Sequence, residues 1–250
     1  MRKRVGLVTW HYYNNFGSVL QAYALQETVK SLGYEVEIVD YRNLKFGKVS
    51  KAKELIKKLA SCIIDDSFND HYRSFRDKYY NQTKLIQDER KLPKLTKKFD
   101  AFVCGSDQIW APNVFNPVYM LDFVPLNKKK LSYAASIGLN DIPQEYVKEY
   151  SRLLSDFDAV SVREKTGAEM LKKKCGITAE TVIDPTFLVS VNEWMQLEKT
   201  APYSTDKYIF CYFLNEKHQY SNLEKKHAEK NGYTVLGVSA NKNDSELMRI

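Results

Sequence analysis

The chain has 250 residues, a length typical of one or two domains, and 44% of them are hydrophobic. With 10 glycines, 7 prolines and 4 cysteines, its composition excludes a disordered chain, a collagen-like repeat and a small disulfide-rich protein. The net charge of +7 arises in residues 1–100, which contain 20 Lys and Arg residues and 12 Asp and Glu residues. The candidate partners therefore include phosphate-bearing molecules and anionic surfaces.

The sequence carries no targeting or membrane-spanning signal that we can identify. No apolar run reaches the roughly 18–20 residues that cross a bilayer, and the basic start at Met1 leads into a short apolar segment instead of a signal-peptide core. We therefore expect a cytoplasmic protein. The four cysteines stand far apart without CxxC or zinc-ligand spacing, so we expect reduced thiols and predict neither a metal site nor a cofactor.

The first 40 residues predict a strand, a helix and a second strand. Arg4–Thr9 is an apolar run of strand length, and Ser18–Gln21 fits a capping box that opens a helix. Gly33 is placed to end that helix, and Glu35–Asp40 has the pattern of a strand. This order is typical of a right-handed βαβ unit and hence of a parallel sheet.

After a lysine-rich and aromatic stretch at residues 45–98, which we interpret as a helical insertion, the alternation of strands and helices resumes. Further strands are predicted at 100–104, 130–136, 159–162 and 181–183, with helices at 143–154 and 166–174. The fold class is therefore α/β, with a doubly wound, Rossmann-like parallel sheet in an N-terminal domain of residues 1–198.

Residues 199–250 predict the start of a second domain. A polar connection at 199–207 precedes strand-like 208–213, helix-like 220–230 and strand-like 233–238. Two strands and one helix bury little of a parallel sheet, whose two faces both need a cover. We therefore expect a partial, truncated Rossmann-like domain here.

Ligands of open parallel sheets bind outside the carboxyl ends of the strands, so the residues that follow each strand are the candidates for a site. Asn15, Gly17 and Ser18 follow the first strand at a helix N-terminus, where free N–H groups favour an anion such as phosphate. The alternative is ordinary helix capping. The segment is neither a GxGxxG fingerprint nor a P-loop.

Gly105, Ser106, Asp107 and Gln108 follow the next strand of the central sheet and form a second candidate segment. A glycine at this point lets a ligand or another backbone approach closely, and Asp107 is a candidate base or hydroxyl-binding group. The alternative for Asp107 is a turn-forming aspartate.

Arg163 and His11 complete the candidates. Arg163 ends a strand and suits a bidentate clamp on a carboxylate or phosphate, or a salt bridge with Glu164. His11 is the histidine nearest this edge, although a lone histidine is more often structural. No plausible Ser/His/Asp set, DxD pair or clustered metal site stands among these candidates, which argues against hydrolases and metal-dependent transferases.

A series of segments resembles one known family in order and spacing. They are Val5–Thr9, Asn15–Leu25, Leu32–Val36, Ile38–Arg42, Phe102–Trp110, Ser132–Gly138, Val160–Glu164 and Val182–Phe187. Together they resemble the polysaccharide pyruvyl transferase family over nearly the whole chain. The resemblance implies a two-domain, GT-B-like architecture, phosphoenolpyruvate as donor, and a sugar of a cell-surface polysaccharide as acceptor, as in exopolysaccharide biosynthesis.

The resemblance also implies roles for the candidate residues. Asn15–Ser18 and Arg163 would bind the donor, Gly105–Gln108 would lie at the substrate, and Asp107 would act as the acceptor base. The family's late Ser-Phe-His-Gly-like segment, with its catalytic histidine, does not occur before Ile250. His11 is the candidate substitute for that histidine.

Two other functions stay open at this point. One is a GT-B-like glycosyltransferase that uses a nucleotide-sugar, and the other is a non-catalytic domain that binds a glycan or a partner chain. Because the basic residues match no RNA- or DNA-binding motif, we exclude nucleic acid as a partner. A lipid-linked glycan acceptor and peripheral association with an anionic membrane fit the basic N-terminal part. The sequence predicts no oligomeric state.

Overall fold

The computed structural model describes residues 2–42, 67–198, 207–213, 221–239 and 248–249. Its central sheet contains four parallel strands in the order β2-β1-β3-β4. These strands are β1 (Arg4–Val8), β2 (Glu35–Ile38), β3 (Ala101–Cys104) and β4 (Lys129–Ser132). The predicted α/β class with a parallel sheet is confirmed.

Two short strands continue the sheet beyond β4. β5 (Ser161–Val162) and β6 (Glu180–Thr181) pair in parallel, and parallel bridges from Leu131 to Ala159 and from Ala135 to Val162 join them to β4. The resulting order, β2-β1-β3-β4-β5-β6, reverses direction between β1 and β3. The order of a doubly wound sheet is thereby established for this part of the chain.

Helices connect these strands. They are α1 (Phe16–Ser31), α2 (Ser67–Tyr79), α3 (Leu92–Leu95), α4 (Gln144–Leu154), α5 (Lys165–Met170) and α6 (Val191–Met195). Short 3₁₀ turns lie at Glu89–Lys91, Thr96–Lys98, Pro112–Val114, Pro117–Met120 and Pro185–Phe187. A π-helical turn, Leu171–Cys175, prolongs α5 as far as Gly176.

The start of α1 differs from the prediction. Asn15 is the N-cap, and its side-chain oxygen accepts a hydrogen bond from the Ser18 amide at 3.1 Å. The predicted capping box at Ser18 is therefore wrong, because Ser18 already lies inside the first turn. The predicted end is confirmed, since Gly33 takes a left-handed conformation with φ of +91° directly after the helix.

The insertion at residues 45–98 is not helical throughout. Residues 81–86 run beside β2, with parallel bridges from Ile38 to Gln82 and from Tyr41 to Ile86. This stretch pairs with backbone groups at the edge of the sheet. Its conformation is therefore determined by strand pairing and not by the packing of a helix over the sheet. The part of the predicted insertion from 45 to 66, which includes Cys62, lies outside the described residues.

Two hydrophobic clusters cover the two faces of the sheet. Successive side chains of β1 alternate between them, with Leu7 in the cluster beneath α1 and α2 and Val8 in the cluster beneath α4 and α5. Phe102, Trp110 and Tyr150 in the second cluster are fully buried. Each such side chain contributes roughly 1.5–3 kcal/mol on burial, which makes this sheet a rigid support for the loops at its carboxyl edge.

The last described elements form a separate sheet. β7 (Tyr208–Phe213) pairs in parallel with β8 (Thr234–Ser239), α7 (Ser221–Asn231) lies between them in the chain, and β9 (Met248–Arg249) adds an antiparallel edge. The predicted strand, helix and strand are present, while the second domain as a unit stays a prediction. The connection at 199–206 lies outside the described residues, and among those described no helix is long and apolar enough to cross a membrane.

Candidate active site at the carboxyl edge of the sheet

A cleft lies where the strand order reverses, outside the carboxyl ends of β1 and β3. Its volume of about 820 Å³ falls within the roughly 300–1,000 Å³ common for small-molecule sites. It is lined by Trp10, Tyr13, Asn15, Gly17, Ser18, Gln21, Asp107, Gln108, Arg163, Asp184, Thr186 and Phe187. Open α/β sheets bind their ligands at this position.

The loop after β1 brings the start of α1 to this cleft. Asn15, Gly17 and Ser18 all line it, as the sequence predicted for a binding segment. Asn15 caps the Ser18 amide, and the other N–H groups of the first turn have no acceptor within the helix itself. The positive end of α1, a 16-residue helix, therefore faces the cleft and favours an anion there.

Asp107 is held in a defined orientation at the wall of the cleft. Its backbone is left-handed, with φ of +70°, a conformation that aspartate tolerates better than most residues. The Ser18 hydroxyl donates to Asp107 Oδ2 at 2.6 Å, and the backbone N–H of Gln108 donates to Asp107 Oδ1 at 2.8 Å. The carboxylate thus joins the loop after β3 to the first turn of α1, and the turn alternative alone does not describe it.

Gln21 is a site residue that the sequence analysis missed. Its side chain is 2% exposed and links the two loops. Nε2 donates to the backbone oxygens of Trp10 and Ser18, both at 2.9 Å, and Oε1 accepts from the Ser106 amide at 3.1 Å. The signal in the sequence that could have identified Gln21 is its position as a polar residue on the apolar, buried side of α1.

Arg163 and Asp184 also line the cleft and form an ion pair with each other. Arg163 Nη1 donates to Asp184 Oδ2 at 3.1 Å, and Nε donates to Glu164 Oε1 at 3.2 Å. The fully buried Ser106 hydroxyl lies 3.1 Å from both Asp184 Oδ2 and the Ala134 carbonyl oxygen. The predicted salt bridge of Arg163 with Glu164 is present, and Asp184, which was not predicted as a site residue, is a second partner.

Gly105 does not line the cleft. A Cβ atom at this position would lie 2.0 Å from the Tyr133 carbonyl oxygen, so the close approach that the glycine permits is that of another backbone. The prediction that Gly105 binds substrate is corrected accordingly. Ser106 likewise stands behind the wall, since it is fully buried and contacts Asp184.

His11 points away from the cleft into the protein. It is fully buried, with Nδ1 3.0 Å from the Thr9 carbonyl oxygen and Nε2 3.0 Å from Asp40 Oδ1. Burial alone would raise the pKa of Asp40, but hydrogen bonds from His11 and Arg42 outweigh it and lower that pKa. Because both ring nitrogens are occupied, the prediction of His11 as a catalytic residue does not agree with this geometry.

Within the described ranges, no group of three or more His, Cys, Asp or Glu side chains is arranged to hold a metal ion. The charged groups on the described cleft wall are Asp107, Arg163 and Asp184. The described wall combines one guanidinium and a helix N-terminus, which suit an anionic ligand, with the carboxylates of Asp107 and Asp184.

A model of the family described as polysaccharide pyruvyl transferase matches residues 15–243. The chain belongs to the polysaccharide pyruvyl transferase family. The predicted resemblance is thereby confirmed, and the family is one of transferases. Among curated proteins, no sequence matches this chain significantly.

This family member is similar to one solved structure, that of an alpha-glucosyltransferase in complex with UDP and a 13-mer DNA containing a HMU base. The TM-score is 0.53 at 10% sequence identity, and the match covers 96% of this chain and 57% of that chain. At this identity the likeness concerns the fold, and it agrees with the expected GT-B-like architecture. The chain spans little more than half the length of this neighbour.

Proposed function

We propose that this protein transfers a pyruvyl group from phosphoenolpyruvate to a sugar of a cell-surface polysaccharide, forming a cyclic ketal. The observation that carries the proposal is that Arg163, the N-terminus of α1 and Asp107 border one cleft. The reaction needs these functions together, since the donor is an anion and the acceptor hydroxyls must lose protons.

The donor binds on the side of Arg163 and α1. Arg163 Nε and Nη1 are engaged by Glu164 and Asp184, and the guanidinium has further N–H groups on Nη2 for a carboxylate or phosphate. The first-turn amides of α1 supply neutral donors to the same anion. Asp184 fixes the orientation of the guanidinium, which lowers the entropic cost of binding.

Asp107 acts as the base toward the acceptor hydroxyl. Its hydrogen bonds with Ser18 and with the Gln108 amide hold the carboxylate at the cleft wall. An acceptor hydroxyl that replaces or joins Ser18 at Oδ2 comes within the distance that proton transfer requires.

In the reaction, C3 of phosphoenolpyruvate takes up a proton and C2 becomes electrophilic. Two sugar hydroxyl oxygens form bonds to C2, and the bond between C2 and the phosphate oxygen breaks. Of the two hydroxyl protons, one balances the proton gained at C3 and the other leaves with phosphate. Charge and atoms therefore balance without a metal ion or redox cofactor.

The test follows product formation with Asp107→Asn. The protein is incubated with phosphoenolpyruvate labelled with ¹³C at C3 and with membranes from the source cells, which supply lipid-linked glycan, and the ketal methyl signal is recorded by NMR. We expect Asp107→Asn to lower the rate by about 10²–10⁴ and to keep the fold, since asparagine also accepts a left-handed backbone.

The half-buried Asp88, which pairs with Arg90 and does not line the cleft, provides the control. Asp88→Asn is expected to react at the wild-type rate. A wild-type sample that forms no ketal contradicts the proposed transfer, whereas an Asp107→Asn sample that reacts normally contradicts the role of Asp107 alone.

A further inference from the structure

A second, smaller pocket adjoins the cleft on the side of β4 and α5. We call it the second pocket, and its polar lining residues are Gln108, Ser136, Asn140, Glu164 and Thr166. Its volume of about 220 Å³ lies below the roughly 300–1,000 Å³ of pockets for drug-sized ligands. The space suits a small group such as one sugar ring.

Two buried polar atoms in this pocket lack partners. Within the described part of the chain, Ser136 Oγ and Glu164 Oε2 are buried and make no hydrogen bond. Ser136 is fully buried, and such groups cost free energy unless a ligand or solvent satisfies them. Together they present one hydroxyl, which donates or accepts, and one carboxylate oxygen, which accepts.

The charge of the second pocket selects against anions. Glu164 is the charged residue on its described lining, and its other oxygen, Oε1, already accepts from Arg163. A phosphate or carboxylate group would meet this carboxylate without a cation on the described wall. The side-chain amides of Gln108 and Asn140 and the hydroxyl of Thr166 instead match a neutral ligand with several hydroxyl groups.

The second pocket and the cleft meet at Gln108, which lines both. The backbone N–H of Gln108 donates to Asp107 Oδ1. The side chain of Gln108 lies against Gly138, where an added Cβ atom would come within 3.0 Å of Gln108 Cδ. A ligand in the second pocket is therefore separated from the proposed base by a single side chain.

We infer that the second pocket binds one neutral sugar unit of the acceptor glycan, next to the unit that receives the pyruvyl group. The inference deepens the proposed function and rests on it for the identity of the ligand as a glycan. Ser136 Oγ and Glu164 Oε2 bind two ring hydroxyls, and Gln108 lies between this unit and Asp107.

Two substitutions change the second pocket without removing a contact that supports the fold. Ser136→Ala deletes an unpaired hydroxyl, so the melting temperature should hold or rise. Gly167→Ala adds a methyl group 3.7 Å from Glu164 Oε2 and 3.6 Å from Ile137 Cδ1, which are ordinary contact distances. Alanine also favours the helix at this position of α5. The matched control is Ser155→Ala, which lies on the exposed end of α4.

The measurement is saturation-transfer NMR with methyl glycosides of galactose, glucose and mannose as neutral probes. We expect at least one glycoside to bind the wild-type chain, with affinity reduced about three- to tenfold in Ser136→Ala and more strongly reduced in Gly167→Ala. Ser155→Ala should bind as the wild type does. Absence of any glycoside signal, or a signal that neither pocket variant lowers, overturns the inference.

A parallel titration with phosphoenolpyruvate separates this inference from the proposed function. Both pocket variants should bind phosphoenolpyruvate with unchanged affinity, because the donor lies in the cleft. Donor binding without glycoside binding overturns the sugar subsite and leaves the transferase proposal standing. Variant-sensitive glycoside binding without donor binding supports the subsite and contradicts the proposed donor.

Discussion

Among single residues, Gly105 stands out because, of the described glycines with a Cβ distance, it leaves the least space for a side chain. Its φ is +118°, and a Cβ atom would lie 2.0 Å from the Tyr133 carbonyl oxygen. We predict that Gly105→Ala destabilises the protein by about 2–5 kcal/mol, through backbone strain and overpacking. Urea unfolding measures this effect. The control is Gly176→Ala, where φ is +73° but nothing lies within 4 Å, so strain alone costs about 1–2 kcal/mol. Equal losses in the two variants would contradict the clash.

The buried contact of Asp40 with His11 and Arg42 predicts a pH-dependent stability. Because the folded-state pKa of Asp40 is lowered, its contribution is present above the unfolded pKa of about 3.9 and is lost as the pH falls below it. Asp40→Asn should therefore lower the unfolding free energy by about 1–3 kcal/mol at pH 7 and by less at pH 3. Urea unfolding at both pH values checks this, and a loss that is the same at both would contradict it.

His11 shows what sequence reasoning misses at this scale. Its position beside the first strand was correctly predicted, but the direction of its ring depends on Asp40, which follows β2 on the neighbouring strand. Likewise, the pairing of Asp107 with Ser18 joins residues 89 positions apart. Only the strand pairing shows which of these side chains meet.

At the scale of elements, the N-terminus of α1 determines the shape of the cleft. We predict that Asn15→Ala lowers the stability by about 0.5–2 kcal/mol, because the Ser18 amide loses its acceptor. Asn192→Ala, at an exposed site in α6, is the matched control and should leave the stability unchanged. Thermal or urea unfolding compares the two, and a variant at Asn15 as stable as the wild type would contradict the role of the cap.

Element types were predicted more accurately than their boundaries. Hydrophobic periodicity identified α1, α4 and α5, yet it does not distinguish an α-helical turn from the π-helical turn at Leu171–Cys175. The edge pairing of residues 81–86 with β2 was missed because hydrogen bonds to a distant strand leave no periodic signal in a short polar segment.

At the scale of the whole molecule, the alternation of strands and helices predicted the parallel sheet and the edge that carries the candidate site. The convergence of Ser106, Arg163 and Asp184 was not predictable, since these residues follow different strands and meet only in the observed strand order. The second domain, the cytoplasmic location and the association with an anionic membrane stay predictions.

In the proposed mechanism the cleft binds phosphoenolpyruvate through Arg163, and a calorimetric titration measures this binding. Wild-type protein should bind phosphoenolpyruvate in preference to UDP. Arg163→Ala should weaken binding about 10- to 100-fold, because charge-assisted hydrogen bonds are lost. Arg152→Ala, which removes a surface arginine paired with Glu149 and Asp122, should have no effect. Binding of UDP instead, or binding of phosphoenolpyruvate that Arg163→Ala leaves unchanged, would show that the cleft is not a donor site built on Arg163.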